Sequence, residues 1–212
     1  MQRSILKTVI SVVIIFAMIS TVFSVSGITP EEAADVGFAV ISDIHYYPDS
    51  YCGDYTSEFE EFALSGNKQY LMMQGLLESA LAAVAEHAQT KGIKYLLIPG
   101  DLTKNGEYEA HVELAARLER FEEETGIQVI VANGNHDINN PSASTFENNV
   151  EEPARSITPE EFLEVYKNLG YDLADSVFTP PEGEKAGMLS YSVSLPEGYR
   201  IVVMDGGKYS AD

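Results

Sequence analysis

The chain has 212 residues, of which 45% are hydrophobic and 22% are charged, and its formal net charge at pH 7 is −20. These proportions indicate a folded domain and exclude an intrinsically disordered chain. The acidic charge argues against non-specific binding to nucleic acid or to anionic membrane surfaces, because both are negative.

The N-terminus has the pattern of an export segment. Arg3 and Lys7 precede an apolar run, and small residues before Gly27 have the spacing of a cleavage site. The apolar run is somewhat short for a bilayer span, which needs about 20 residues. We therefore expect residues 1–26 to be a signal peptide or an uncleaved anchor, and residues 27–212 to form the folded domain.

The segment of residues 46–67 is rich in Tyr, Asp, Gly and Ser, and its composition predicts a loop. It is expected to be either an ordinary packed loop or a lid over a substrate. It contains Cys52, the only cysteine of the chain, which excludes an internal disulfide. No base for thiol catalysis lies near Cys52 in the sequence, and we expect it to have no catalytic role.

Strands and helices alternate in the first part of the domain. Hydrophobic runs predict three strands, and apolar residues at helical spacing predict two helices, each of which ends at a glycine, Gly92 or Gly126. This order predicts a parallel βαβαβ unit with right-handed crossovers. The strands are expected at Val36–Ser42, Ile93–Ile98 and Ile127–Ala132, and the helices at about Lys68–Thr90 and Glu107–Thr125.

The second part of the domain begins with a polar loop and a helix. Thr158, followed by a proline and by Glu161, has the pattern of a capping box at the start of a helix that closes near Gly170. Two later β-type runs, Met188–Ser194 and Tyr199–Met204, flank a Pro-Glu-Gly turn and predict an antiparallel hairpin.

Side chains typical of metal ligands follow all three predicted parallel strands. They form the motifs Asp43-Ile-His45, Gly100-Asp101 and Gly134-Asn135-His136-Asp137. In open α/β sheets, ligands bind at the carboxyl ends of the strands. Oxygen donors mixed with imidazole suit divalent metals that act on phosphate. The sequence therefore predicts a metal-dependent phosphoesterase.

The spacing within these motifs has two physical consequences. If the segment from Asp43 to His45 is extended, both side chains point to the same side. Gly100 and Gly134 allow the backbone to turn sharply and to approach a ligand closely.

The same motifs, in the same order, resemble the calcineurin-like metallophosphoesterase superfamily from about Phe38 to Asp205. The stretch Gly100–Glu109, Gly-Asp-Leu-Thr-Lys-Asn-Gly-Glu-Tyr-Glu, is similar to secreted bacterial members. The resemblance implies an α/β fold, an αββα sandwich that starts with the parallel βαβαβ unit. It also implies two divalent ions, of manganese, iron, zinc or a similar metal, since ligand types alone do not choose among them.

By the same resemblance, Asp43 and His45 hold the first metal, Asp101 bridges the two metals, and Asn135 binds the second through its amide oxygen. His136 and Asp101 are the implied catalytic residues. His136 contacts the phosphate and protonates or stabilises the leaving oxygen. The function implied is hydrolysis of a phosphomonoester or phosphodiester by a water that the two metals activate.

Three other residues with side chains that titrate are considered next, because they could belong to a catalytic site. Asp137 either orients His136 or closes the loop. His87 and His111 fall on predicted helices away from the strand ends, and we expect both to be surface or satisfied core residues. The segment from Asp101 to Gly106 also matches the first half of an EF-hand loop, but Val112 stands where the bidentate glutamate belongs, which excludes that interpretation.

The chain departs from the family after His136, because no later histidine is present. Family members supply further histidine ligands from a later region, so the resemblance implies that the domain is incomplete at its C-terminus. The alternative is an inactive exported domain that binds one divalent metal weakly.

The expected partner is a small phosphoester, without nucleic acid, and contact with a membrane is expected only through an uncleaved anchor. The expected location is outside a bacterial cell or in its envelope. The sequence leaves the substrate, the metal, the choice between phosphomonoester and phosphodiester, and the oligomeric state open.

Overall fold

The computed structural model describes residues 35–65 and 69–207. The expected signal or anchor segment lies outside these residues. Within them, no helix combines the length and the hydropathy needed to cross a bilayer.

The first layer of the fold is a parallel sheet in the order β1-β2-β3. Its strands are β1 (Gly37–Val40), β2 (Ile93–Pro99) and β3 (Gln128–Ala132). Helices α2 (Met73–Lys91) and α3 (Tyr108–Thr125) connect them, and left-handed glycines at residues 92 and 126 end both helices. The predicted βαβαβ unit is confirmed, with element bounds that differ by a few residues.

The main core lies between this sheet and the helices. Alternate residues of the buried strands, such as Leu96, Ile98 and Val129, face the helical side, where they pack against Leu114 and Leu118 of α3. Burial of side chains of this size typically contributes about 1.5–3 kcal/mol each.

Helix α4 (Pro159–Val165) adds to the same core. The Thr158 side chain accepts a hydrogen bond from the Glu161 backbone, and the Glu161 side chain accepts one from the Thr158 backbone. This is the predicted capping box. A π-type turn of residues 167–171 follows, and Gly170 adopts a φ of 100° in it.

A second sheet packs on the opposite face of the parallel sheet. It has the order β6-β7-β8, with β6 (Ser176–Val177), β7 (Tyr191–Ser194) and β8 (Arg200–Val203) all antiparallel. Tyr191, Val193 and Val203 meet Tyr95 and Ile130 of the parallel sheet in a shared apolar layer. The predicted hairpin is confirmed.

The segment of residues 46–67 contains a helix that composition did not predict. Helix α1 (Ser57–Ser65) follows a 3-10 turn at Asp49–Cys52, and a second 3-10 turn at Tyr70–Met72 precedes α2. A short ladder pairs β4 (Ser144–Thr145) with β5 (Glu152–Pro153).

Candidate metal centre

Three of the predicted ligands meet beyond the carboxyl ends of β1 and β2. One ligand atom each from Asp43, His45 and Asp101 lies within 4.8 Å of the others. The His45 Nε2 atom is 3.6 Å from Asp101 Oδ2 and 4.0 Å from Asp43 Oδ1. Two ligands on one metal at bond lengths of about 2.1 Å stand up to about 4.2 Å apart, so this cluster fits a divalent ion with small shifts.

All three of these residues have left-handed backbone. Their φ values are 56° at Asp43, 47° at His45 and 49° at Asp101. Such values are uncommon outside glycine, and residues held in them concentrate at functional sites. The segment from Asp43 to His45 is therefore not extended, and the explanation from strand alternation is wrong. The side chains converge because the backbone turns at both residues.

The surrounding structure holds these conformations in place. Beyond the strands, the segments 43–46 and 100–104 stay hydrogen-bonded: the N–H of His45 donates to the Asp101 carbonyl at 2.9 Å, and that of Tyr46 to the Leu102 carbonyl at 2.9 Å. The N–H of Lys104 donates back to the Tyr46 carbonyl at 3.1 Å. Two loops thus behave as an extension of the sheet, and each fixes the other.

Glycines make the close approach of the second and third motifs possible. A Cβ atom on Gly134 would stand 2.1 Å from Asp101 Oδ1, and one on Gly100 would stand 2.9 Å from the Gly134 backbone. Gly100 also has a φ of 107°. Both contacts are too short for a side chain, as the predicted tight approach requires.

The third motif contributes His136 to the same place. Asn135 is exposed in the turn between Gly134 and His136. The His136 backbone N–H donates to Asp101 Oδ1 at 3.2 Å, and the His136 ring meets the His45 ring edge-on, with centroids 5.0 Å apart. The described residues bring Asp43, His45, Asp101 and His136 together, whereas the side chain of Asn135 has no recorded contact with them, and the individual roles of all five stay predictions.

Two acceptors set the protonation pattern of the His136 ring. Its Nδ1 atom lies 2.9 Å from the Lys104 carbonyl oxygen and 3.0 Å from Asn105 Oδ1. Both oxygens accept, so Nδ1 must donate and carry the proton of the neutral ring. The amide of Asn105 is oriented in turn, because its Nδ2 donates to the Ser142 carbonyl at 3.0 Å. Nε2 is therefore the nitrogen left to meet a substrate.

Asp137 closes the loops and makes no contact that would orient the His136 ring. Its fully buried carboxylate accepts backbone N–H bonds from Leu102 at 3.1 Å, from Thr103 at 3.0 Å and from Gly134 at 2.6 Å. One side chain thus ties the Asp101 loop to the His136 loop. Burial raises the pKa of the Asp137 carboxyl, and these three N–H donors oppose that rise.

His111 lies directly beneath the same loops, so the expectation that it stands away from the strand ends is wrong. It is fully buried, with Nε2 3.2 Å from the Asp137 carbonyl and 3.1 Å from Thr103 Oγ1, and with Nδ1 2.9 Å from the Tyr166 hydroxyl. The carbonyl can only accept, so Nε2 carries the proton. Burial lowers the pKa of His111 to about 3. The residue is the satisfied core histidine that was predicted, whereas His87 is exposed on α2.

An aromatic cluster borders the site on the side of residues 46–65. It includes residues of α1 and residues that pack against α1. This segment is therefore packed against the rest of the domain, as one of the two interpretations expected. Cys52 belongs to it, and burial raises the pKa of its thiol to about 11, which agrees with the absence of a thiol role. The aromatic cluster consists of Tyr47, Tyr51, Cys52, Phe59, Ala63 and Phe146, with Phe62, Tyr70 and Ala154 packed against it.

Sequence reasoning missed the residues that support the site, and one signal pointed to them. Thr103, Lys104 and Asn105 begin two positions after Asp101, and Glu107 and His111 come within the next six positions. In the sequence, this run of polar residues after Gly-Asp indicated a similarity to secreted bacterial members and a partial EF-hand match, and neither gave these residues a part in the site. Its members are instead buried or half-buried partners of the Asp101 and His136 loops.

The parallel sheet, the ligand cluster at its carboxyl end and the adjacent histidine define the class of a metal-dependent phosphoesterase of α/β fold. The family model of the calcineurin-like phosphoesterases matches residues 37–210. The chain therefore belongs to the calcineurin-like phosphoesterase family, as its motifs predicted. A search of curated proteins found no match.

Proposed function

We propose that the protein hydrolyses a small phosphomonoester or phosphodiester with the help of two divalent metal ions. The observation that carries the proposal is the meeting of Asp43, His45 and Asp101 on left-handed backbone, with His136 against them. The family supports phosphoesterase activity in general. The two-ion mechanism and the substrate class are our proposal.

In this mechanism each residue has one task. Asp43 and His45 would hold the first ion, Asn135 would hold the second, and Asp101 would contribute to both sites. When bound, the two ions supply neutralisation of the phosphate charge and acidification of a water molecule. His136 keeps its Nδ1 proton on the Lys104 carbonyl and on Asn105, so a second proton, taken up at Nε2, would be the one donated to the phosphoryl group or to the leaving oxygen.

The charge of the chain constrains the substrate. At −20 the protein repels anions at long range, so a small ester with little charge is favoured over a nucleic acid. Because salt screens that repulsion, KM for a phosphoester should fall as the ionic strength rises from 20 to 200 mM. A KM that rises over this range would contradict the interpretation.

We also propose that the protein is exported to the outside or the envelope of a bacterial cell, and that the intact enzyme has further sequence. Apolar side chains support the second point, because Val40 of β1 and Val202 of β8 are more than half exposed, and so is Met204 beside β8. Further strands beside β1 and β8 would reduce this exposure, and the added sequence would carry further ligands for the second ion. Reading the coding sequence past codon 212 tests this, and a stop codon there would contradict it.

The central experiment is a metal titration followed by an assay. The intact enzyme, with the further sequence proposed above, is stripped of metal, titrated with Mn²⁺ by calorimetry, and assayed with aryl phosphomonoester and phosphodiester substrates, because the 212-residue chain alone is expected to turn over little. We expect two ions per chain and turnover that Asp101→Ala abolishes. The control is Asp175→Asn, which removes one negative charge from a surface ion pair with Arg200. One weakly bound ion without turnover would establish the alternative, an inactive single-metal domain.

A further inference from the structure

Lys104 is a lysine in an unusual place. Its side chain is only 5% exposed, and it lies three residues after Asp101 in the loop that carries the candidate site. Lysines are almost never fully buried unless they are paired, because the loss of hydration is costly. The burial of the Lys104 ammonium therefore requires partners that compensate for its lost hydration.

The partners of the ammonium come from four separate parts of the chain. Nζ donates to Ser144 Oγ at 2.9 Å and lies 3.8 Å from Glu107 Oε1. It also lies 4.5 Å from the centroid of the Phe62 ring and 5.5 Å from that of Tyr47. Cation–π attraction is stronger for a desolvated ammonium than for an exposed one. The side chain is thus fixed inside the aromatic cluster.

Glu107 fixes the next peptide group of the same loop. It is fully buried, and its Oε2 atom accepts the Asn105 N–H at 2.8 Å while its Oε1 atom lies 3.5 Å from the Ser144 N–H. Burial raises the pKa of the Glu107 carboxyl, and the Lys104 ammonium opposes that rise. The pair therefore immobilises the two consecutive residues, Lys104 and Asn105, that present acceptors to the His136 ring.

A buried ion pair is weak evidence for stability, because apolar residues of similar volume often stabilise a protein more. Its established use is to specify one arrangement among several. Here the arrangement concerns two acceptors, the Lys104 carbonyl and Asn105 Oδ1, which together decide which ring nitrogen of His136 carries the proton.

We propose that Lys104 is a positioning residue, whose side chain, anchored in the aromatic cluster by Phe62, Tyr47 and Glu107, holds its own carbonyl and Asn105 against His136 Nδ1. The aromatic cluster thereby supports the loop that orients the His136 ring. The importance of this for turnover rests on the proposed function, while the effect on the His136 ring does not.

The test uses the full chain with Lys104→Met, which keeps most of the stem and removes the ammonium. In the metal-free protein, long-range ¹H–¹⁵N spectra of the His136 ring report which nitrogen is protonated. We expect the wild type to show one tautomer with the proton on Nδ1, and the variant to show a mixture. With Mn²⁺ and an aryl phosphodiester, kcat should fall about 10-fold, as for other outer partners of metal-site residues, with KM within twofold.

Two further variants keep the proposal falsifiable. Phe62→Leu is the milder change, because Phe62 is only half-buried, and it should move the His136 spectrum in the same direction. Arg155→Met is the matched control, since it removes a cation from the ring of Tyr108, 3.8 Å away, at an exposed site. It should leave the His136 spectrum unchanged.

The outcomes separate this proposal from the proposed function. If Lys104→Met folds and its His136 spectrum equals that of the wild type, the positioning role is overturned, whatever happens to turnover. If Lys104→Met does not fold, an unchanged spectrum in Phe62→Leu overturns it equally. If the spectra shift but no phosphoester is turned over by the wild type, the positioning role stands and the proposed function fails.

Discussion

The two sheets of this protein differ in strand direction and in the number of candidate site residues that follow their strands. The parallel sheet ends in loops that hold every candidate ligand, whereas the antiparallel sheet ends in Asp205, whose carboxylate serves Asn133, Leu189 and Gly207. The first region stores left-handed backbone at Asp43 and Asp101. The candidate site therefore forms where neighbouring parallel strands end together, and the second sheet packs against the other face of the parallel sheet.

The change expected to have the largest effect is the loss of Asp101, the residue that we propose binds both metal ions. Asp101→Asn should lower kcat/KM by about 100-fold or more, because even outer partners of metal ligands cost about 10–100-fold. Mn²⁺ affinity is measured alongside by calorimetry, and it should fall too. Retention of both would move the active site away from the parallel sheet.

Asp137→Asn should break the link between the two ligand loops. An asparagine amide replaces one of the two acceptor oxygens by a donor, so either the Thr103 N–H or the Leu102 and Gly134 N–H groups lose their buried partner. We expect the free energy of unfolding to fall by about 3 kcal/mol in urea titrations. Asp175→Asn, at the surface of the antiparallel region, should change it far less, because exposed ion pairs contribute little to stability. Equal losses would erase the contrast between the regions.

Glu122, at the C-terminal end of α3, tests the far end of the parallel sheet. Burial raises the pKa of its half-buried carboxyl from 4.5 to about 7. The folded state therefore disfavours ionisation, and stability falls as the pH rises from about 4.5 through 7. Glu122→Gln removes this penalty and keeps an acceptor for the Val129 N–H.

The expected gain for Glu122→Gln is about 1 kcal/mol at pH 8.5, after allowance for solvent screening, and almost nothing at pH 4. Thermal unfolding at the two pH values measures it. Glu123→Gln, at an exposed neighbour, removes the same charge and serves as the control. A gain that is equal at both pH values, or equal in the control, would contradict the assignment.

The smallest effect on the site is expected from the antiparallel region itself. Asp205→Ala leaves the Asn133 amide without its 2.9 Å acceptor and should lower the free energy of unfolding by about 1–2 kcal/mol. Affinity for Mn²⁺ should stay within twofold of the wild type. A tenfold loss of affinity for Mn²⁺ would show that the antiparallel sheet takes part in the metal centre.

Most of the fold could be predicted from the sequence, because its signals are local. Strands, glycine stops and the capping box at Thr158 are each encoded within a few residues. Helix α1 was missed because turn-forming residues flank it, although Phe59, Phe62 and Ala63 have helical spacing. The two-residue strands β4 and β6 are too short to show a period.

The clustering of the candidate ligands could be predicted from the sequence, whereas the residues that support them could not. Asp43, Asp101 and His136 follow apolar strands, and position alone suggests them. The burial of Lys104 has no local signal, because a lysine normally faces water and its partner Ser144 lies 40 residues away. The left-handed backbone of the ligands is equally silent, since it is imposed by hydrogen bonds between two loops that meet only in the folded chain.

The tie that Asp137 makes between the loops has a consequence for how a metal enters. Three backbone N–H groups already point at one carboxylate, and so the cation meets loops that need no further ordering. Association should then be limited by the release of water from the incoming ion, with rates that follow the water-exchange rate of each metal. Ni²⁺ would load much more slowly than Mn²⁺, even where it binds more tightly.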